Sequence, residues 1–132
     1  MEFSLIAFLL CIVLFSVLEV GRMVLVYTTV ANAARAGARY AIVHGGSRTG
    51  VGVDGPSGPG NNPAQVVTVV KNFASAGLLT AAQLVITIVY PTASNVPGQR
   101  VNVTVVYPYD PLTSWLPFNL RLGTTTQGVI VF

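Results

Sequence analysis

The sequence predicts an α+β fold: a long N-terminal hydrophobic helix followed by a small head, with one helix packed on a three-stranded antiparallel sheet. Three observations carry this. Phe3–Leu18 (FSLIAFLLCIVLFSVL) contains no charge, proline or glycine, and the apolar run resumes without a charge from Met23 to Ala34. Residues 45–63 hold seven glycines and three prolines, a composition that ends any regular element. Beyond them, apolar and polar residues alternate at the period of half-buried strands. The chain therefore divides into an assembly helix over 1–44, a Gly/Pro-rich surface loop over 45–63 and a head over 64–132.

The 132 residues suffice for one domain and not for two. Hydrophobic residues make up 52% and charged residues only 8%, against roughly 25% in ordinary soluble domains. That deficit points to membrane residence or obligate assembly. The net charge of +3 is a weak pointer to anionic surfaces, because Arg22, Arg35 and Arg39 all lie on the long helix. The single cysteine, Cys11, sits inside the apolar run and excludes an intrachain disulfide.

As one helix, the first 44 residues would reach ~65 Å, about twice the ~30 Å hydrocarbon core of a bilayer. The first half can sit in lipid while the second projects beyond it. The run does not read as a cleaved signal peptide, since no basic residue precedes Arg22 and helix-compatible sequence continues past it. The basic flank at Arg22, Arg35 and Arg39 would face the cytoplasm by the positive-inside rule, whereas the Gly-rich remainder looks exported. A basic leader removed upstream of Met1 would reconcile the two.

Six residues are singled out for assembly: Glu2, Phe3, Leu10, Glu19, Gly21 and Arg22. Phe3 and Leu10 belong to the uncharged run. Glu2 complements the positive end of the helix dipole and can also neutralise an ammonium, its own or a neighbour's, carried into an apolar core. Glu19 and Arg22 are three apart, hence neighbours on the helix surface and expected to pair. From Ala31 to Ala41 the residues become small, and Tyr27, Ala31, Ala34, Ala38 and Ile42 form the face on which the head is expected to dock. Asn32, Arg35 and Arg39 line a different, polar face.

In the head, Asn62 is expected to cap a helix whose first residue is Pro63. Val66, Val69/Val70 and Phe73 then follow at helical spacing, and Gly77 supplies the stop. Thr80–Gln83 adds a short turn. Leu84–Tyr90 and Arg100–Tyr107 read as strands joined by a hairpin loop turning at Pro97-Gly98. An irregular stretch with three prolines, Pro108–Phe118, leads to a third strand within Leu120–Phe132 whose TTT centre is exposed.

The chemistry-bearing residues are few. One histidine (His44), one cysteine and four dispersed acids compose neither a nucleophile–base set nor a metal-ligand cluster, so no catalytic residue, metal or cofactor is expected and the chain is not read as an enzyme. The head has no aromatic–basic interleaving, so no nucleic-acid partner is expected.

An N-terminal Glu-Phe before an apolar run, then Glu19-x-Gly21-Arg22, then NAARAGARYA, resembles the TadE family of tight-adherence pilus systems. VNVTVVYPYDPLTSWL resembles that family's strand followed by YP-x-x-PLT. The resemblance implies a type IV pilin-like helix, a leader removed by a prepilin peptidase, and a subunit that waits in the inner membrane for Tad-type machinery. It sets Glu2 against the acidic residue near the mature N-terminus of type IV-like pilins, and Glu19, Gly21 and Arg22 against the mid-helix break. Two departures are visible: no leader with its glycine is present, and Glu2 lies nearer the N-terminus than the usual fifth position. The expected function is a structural subunit that polymerises with copies of itself into an extracellular type IV pilus-like filament. The alternatives are a minor membrane-anchored pseudopilin that primes or caps such a filament, and a membrane-anchored surface binding module.

Overall fold

A computed structural model describes residues 2–112 and 119–132. The first helix, α1, runs unbroken from Glu2 to Val43. A loop with a 3-10 turn at Gly52–Asp54 leads to α2 (Ala64–Ala76), and a second 3-10 turn at Ala81–Gln83 precedes the strands. β1 (Val85–Val89), β2 (Arg100–Tyr109) and β3 (Leu120–Val129) form one antiparallel sheet with β2 in the centre. Of the stretch expected to be irregular, residues 113–118 lie outside the described residues.

The alternation that predicts the strands also sets their faces. Ile88, Val103 and Thr126 stand in one register row on the inner face, and Thr87, Thr104 and Thr125 in the next row on the outer face. The outer row is tied by a hydrogen bond between the Thr104 and Thr125 hydroxyls at 2.9 Å. The inner residues Ile88, Val101, Val103 and Val105 are fully buried. β2 extends two residues past its expected end, through Pro108. Since β1 pairs no further than Val106, the missing proline N–H interrupts no ladder with that strand.

Two helices, not α2 alone, cover the inner face. The second half of α1 packs on β2 and β3, and α2 lies beside it. Gly37 is the contact point: a Cβ there would meet Val70 Cγ2 at 2.4 Å and Val103 Cγ1 at 3.4 Å, one from α2 and one from β2. Gly77, just past α2, serves the same purpose at the other end, where a Cβ would meet Thr29 Cγ2 at 2.3 Å. The helix stop at Gly77 thus coincides with close approach to α1, and the positive φ falls on the next residue, Leu78 (65°).

One local expectation is corrected. Asn62 does not cap α2: it adopts φ 52°, and its Oδ1 accepts the Ile88 N–H at 2.6 Å while its own N–H reaches the Ile88 carbonyl at 3.1 Å. Pro63 occupies the cap position without a side-chain cap bond. The long loop is also pinned at its middle. Ser57 is fully buried, its N–H and hydroxyl both donate to the His44 carbonyl (2.6 and 3.0 Å), and Asn95 Nδ2 donates to its carbonyl at 3.1 Å. A buried backbone needs such partners; most of the rest of the loop is exposed, and its tip at Gly52–Asp54 is held to the helices and to Arg48 through carbonyls that accept from Gln65, Tyr40 and Arg48.

Candidate functional site

Residues Phe3–Leu18 of α1 stand clear of the head on every side. Phe3 is 83% exposed and Leu10 56%, and most of the other large apolar side chains of the run are exposed to a similar degree. The most apolar window of α1 has a mean hydropathy of 2.7 with none of it buried in the fold. Fully burying one Leu, Ile or Phe side chain contributes about 1.5–3 kcal/mol. The rod as a whole therefore carries on the order of tens of kcal/mol of unmet burial, more than the ~5–15 kcal/mol that holds a typical domain together. Such a surface requires lipid or protein around it. Glu2 is exposed in the first turn of the rod.

The rod ends where the head takes hold. Tyr109, the last residue of β2, donates its hydroxyl to Glu19 Oε1 at 2.6 Å across a sequence separation of 90 residues. The Leu112 N–H reaches the same oxygen at 3.4 Å. Arg22 Nη1 donates to the Asp110 carbonyl at 3.0 Å, its guanidinium carbon lies 5.2 Å from the Tyr109 ring centroid, and Glu19 Oε1 stands 3.9 Å from Nη1. The expected Glu19–Arg22 pair thus exists as the base of a latch that binds the head to the helix. A hydrogen bond to a charged partner is worth about 1.5–3 kcal/mol, an exposed cation–π contact about 0.5–1 and a long, partly exposed ion pair little; the Tyr109–Glu19 bond dominates. Burial, reinforced by the hydrogen bond to Glu19 and its charge, holds the Tyr109 hydroxyl above its ordinary pKa of 10.0, so it stays a donor. Gly21, between the two ionic residues, faces open space.

The head docks on a face centred on Val26, Val30, Ala33, Ala34, Gly37, Ala38 and Ala41, all buried. Of the expected docking residues, Ala34 and Ala38 lie in this face. Ala31 and Ile42 flank it half-buried, with Ile42 Cδ1 filling the space above Gly128. Tyr27 stands 47% exposed and outside it, which corrects its assignment to the docking face. Tyr109 was the residue sequence reasoning missed, although it sits in the YPYDPL segment that carries part of the resemblance.

A third feature lies between α1 and α2. Ala36, Val43, Val69 and Phe73 form the floor of an open groove of about 470 Å³, with Arg35 and Arg39 on its rim. Tyr40 closes one end, its hydroxyl donating to the Val53 carbonyl and its ring stacked on His44 at 3.8 Å. Among the described residues no three His, Cys, Asp or Glu side chains converge as metal ligands.

A family model described as TadE-like protein matches residues 1–39, nearly the whole of α1. No curated protein and no solved structure matches the chain. The match falls on the helix that carries the rod, the latch residues Glu19 and Arg22 and most of the docking face, and leaves the strands unmatched. Together with the apolar length of α1, it is consistent with a membrane-anchored protein related to the tight-adherence pilus.

Proposed function

We propose that this chain is a structural pilin-like subunit. It is held in the inner membrane by Phe3–Leu18 and then polymerises through the same segment into an extracellular Tad filament, with the helices as core and the heads as sheath. The observation that carries the reading is the contrast at Glu19: below it the helix is apolar on all sides and uncovered, above it the head is latched on. Lipid satisfies the rod before assembly, and the rods of other copies satisfy it afterwards. The partners are copies of the same chain, the Tad-type assembly machinery and a prepilin peptidase. The chemistry is packing, with no catalytic step assigned to any residue.

Sheared cell-surface material, viewed by electron microscopy and resolved on a denaturing gel, tests this directly. The expected result is thin filaments in which this chain is the dominant protein. A trace amount in filaments built of another protein would instead mark it as a priming or capping subunit. Retention of the entire pool in the membrane, with filaments lacking it, would end the polymer reading.

A further inference from the structure

The groove between α1 and α2 has an apolar floor and two cations that meet no carboxylate among the described residues. The single ion pair among the described residues is Glu19–Arg22, away from the groove, and Arg35 reaches only the Asn32 amide oxygen at 3.3 Å. The tip of the rod has the complementary chemistry: one acid, Glu2, followed by Phe3, Leu5 and Ile6, which are 83%, 69% and 64% exposed. We infer that the α1–α2 groove receives the rod tip of a second copy of this chain, with Glu2 between Arg35 and Arg39 and the first apolar side chains over Ala36, Val43 and Phe73. The inference rests on the filament reading and specifies one of its contacts.

Geometry gives the contact its direction. Copies that leave one membrane share an orientation, so tip and groove meet in parallel and head to tail. A heterologous contact of this kind leaves each pair with one free tip and one free groove and therefore grows into an open filament. Glu2 and the two arginines are about 50–55 Å apart along a helix rising ~1.5 Å per residue. While two copies sit at the same depth in the bilayer, each tip is that far from the other's groove, and the contact cannot form. It becomes available only when one copy has been displaced along its axis by that distance, which takes its apolar run out of the lipid. The groove thus distinguishes an extracted subunit from a waiting one, and the arginines supply a counter-charge for a carboxylate leaving its original surroundings.

The test uses the full chain on cells. In a Cys11→Ser background, Phe3→Cys and Ala36→Cys are introduced together, and sheared filaments and membranes are oxidised and run on a non-reducing gel. A ladder of covalent multimers from filaments, with monomer alone from membranes, is the expected result. Filaments in normal number that yield only monomer overturn the inference and leave the filament reading standing. Absence of this chain from sheared filaments of the Cys11→Ser parent defeats the filament reading itself. Should the first cysteine pair block assembly, Ile6→Cys with Val43→Cys reads the same contact. Independently, Arg35→Glu with Arg39→Glu should lower filament number by about tenfold or more, the effect of about 1.4 kcal/mol, and adding Glu2→Arg should restore it. Unchanged filaments in the double variant, or a loss that Glu2→Arg leaves unrestored in a protease-resistant head, would overturn the contact and leave an N-terminal ammonium as the partner of Glu2.

Discussion

The two halves of α1 are both apolar, yet they meet their surroundings in opposite ways. Phe3–Leu18 is built mostly of Phe, Leu, Ile and Val and buries almost nothing within the chain. The half beyond Arg22 places Val26, Val30, Ala33, Ala34, Gly37, Ala38 and Ala41 against the head and buries all of them. Large side chains suit a surface that must fit lipid first and other helices later, because they bring area without requiring one complementary shape. Small ones suit a fixed partner at close range, because they let α2 and β2 approach the helix backbone. The two interior glycines sharpen the difference. Gly37 is crowded by Val70 and Val103, whereas a Cβ on Gly21 would meet no atom within 4 Å. Glycine in a helix interior costs about 1 kcal/mol relative to alanine; at Gly37 close packing offsets that cost, and at Gly21 nothing within the described chain does.

Substitutions can break this contrast in turn. The largest effect is expected from Leu10→Asp, which places an unpaired carboxylate in the rod at a cost of several kcal/mol once buried. Filaments should disappear while the head keeps its protease resistance; normal filaments would show that the rod is not buried between copies. Gly37→Leu acts on the other half and should do the reverse. Overpacking against Val70 should cost about 1–3 kcal/mol or more, read as a lower melting temperature of the detergent-solubilised chain; an unchanged melting temperature would mean that the helix–helix crossing is loose.

Tyr109→Phe tests the boundary between the halves. It removes the hydroxyl from Glu19 and should lower head stability by about 1.5–3 kcal/mol, measured by denaturant unfolding, with Tyr107→Phe, which removes only a neutral hydroxyl–amide bond to Gln83 on the same face, as the comparison. Burial of the hydroxyl, reinforced by the same bond, gives a pH dependence of stated sign. Because the folded-state pKa of Tyr109 lies above the ordinary 10.0, its contribution is fully present below pH 10 and is lost as the pH rises through the raised value. Tyrosinate absorbance should therefore show Tyr109 among the late-titrating tyrosines, beside Tyr40 and Tyr90, whose hydroxyls burial also raises, and Tyr109→Phe should remove one of these three. The smallest effect belongs to Gly21→Ala, which should stabilise the isolated helix by up to about 1 kcal/mol and leave head melting unchanged. A filament defect in that variant would place a close interchain approach, or a required bend, at Gly21.

Much of this architecture follows from local pattern. The uncharged run, the Gly/Pro-rich divider and the alternation of Val101, Val103 and Val105 are properties of short windows, and they determine a long helix, a break and a sheet with one inner face. The Glu19–Arg22 neighbours follow from helical spacing alone. What local pattern could not decide was rotation and partnership. Between Ala31 and Ala41 small residues occur on several faces of α1, so hydropathy barely separates the docking face through Val30, Ala33 and Gly37 from the expected one through Tyr27, Ala31, Ala34, Ala38 and Ile42, with which it shares Ala34 and Ala38. Asn62 satisfied a local capping rule, but at Ile88 an edge strand offered a donor to its side-chain oxygen and an acceptor to its backbone N–H, and the distant partner prevailed. The latch needed tertiary structure most of all: Tyr109 and Glu19 are 90 residues apart, and only the antiparallel run of β2 back along α1 brings the strand's last residue to the end of the rod. Periodicity is a one-dimensional signal and specifies which residues share a face; which face meets which neighbour is settled by packing in three dimensions, where a missing Cβ or one distant hydroxyl outweighs small differences in hydropathy.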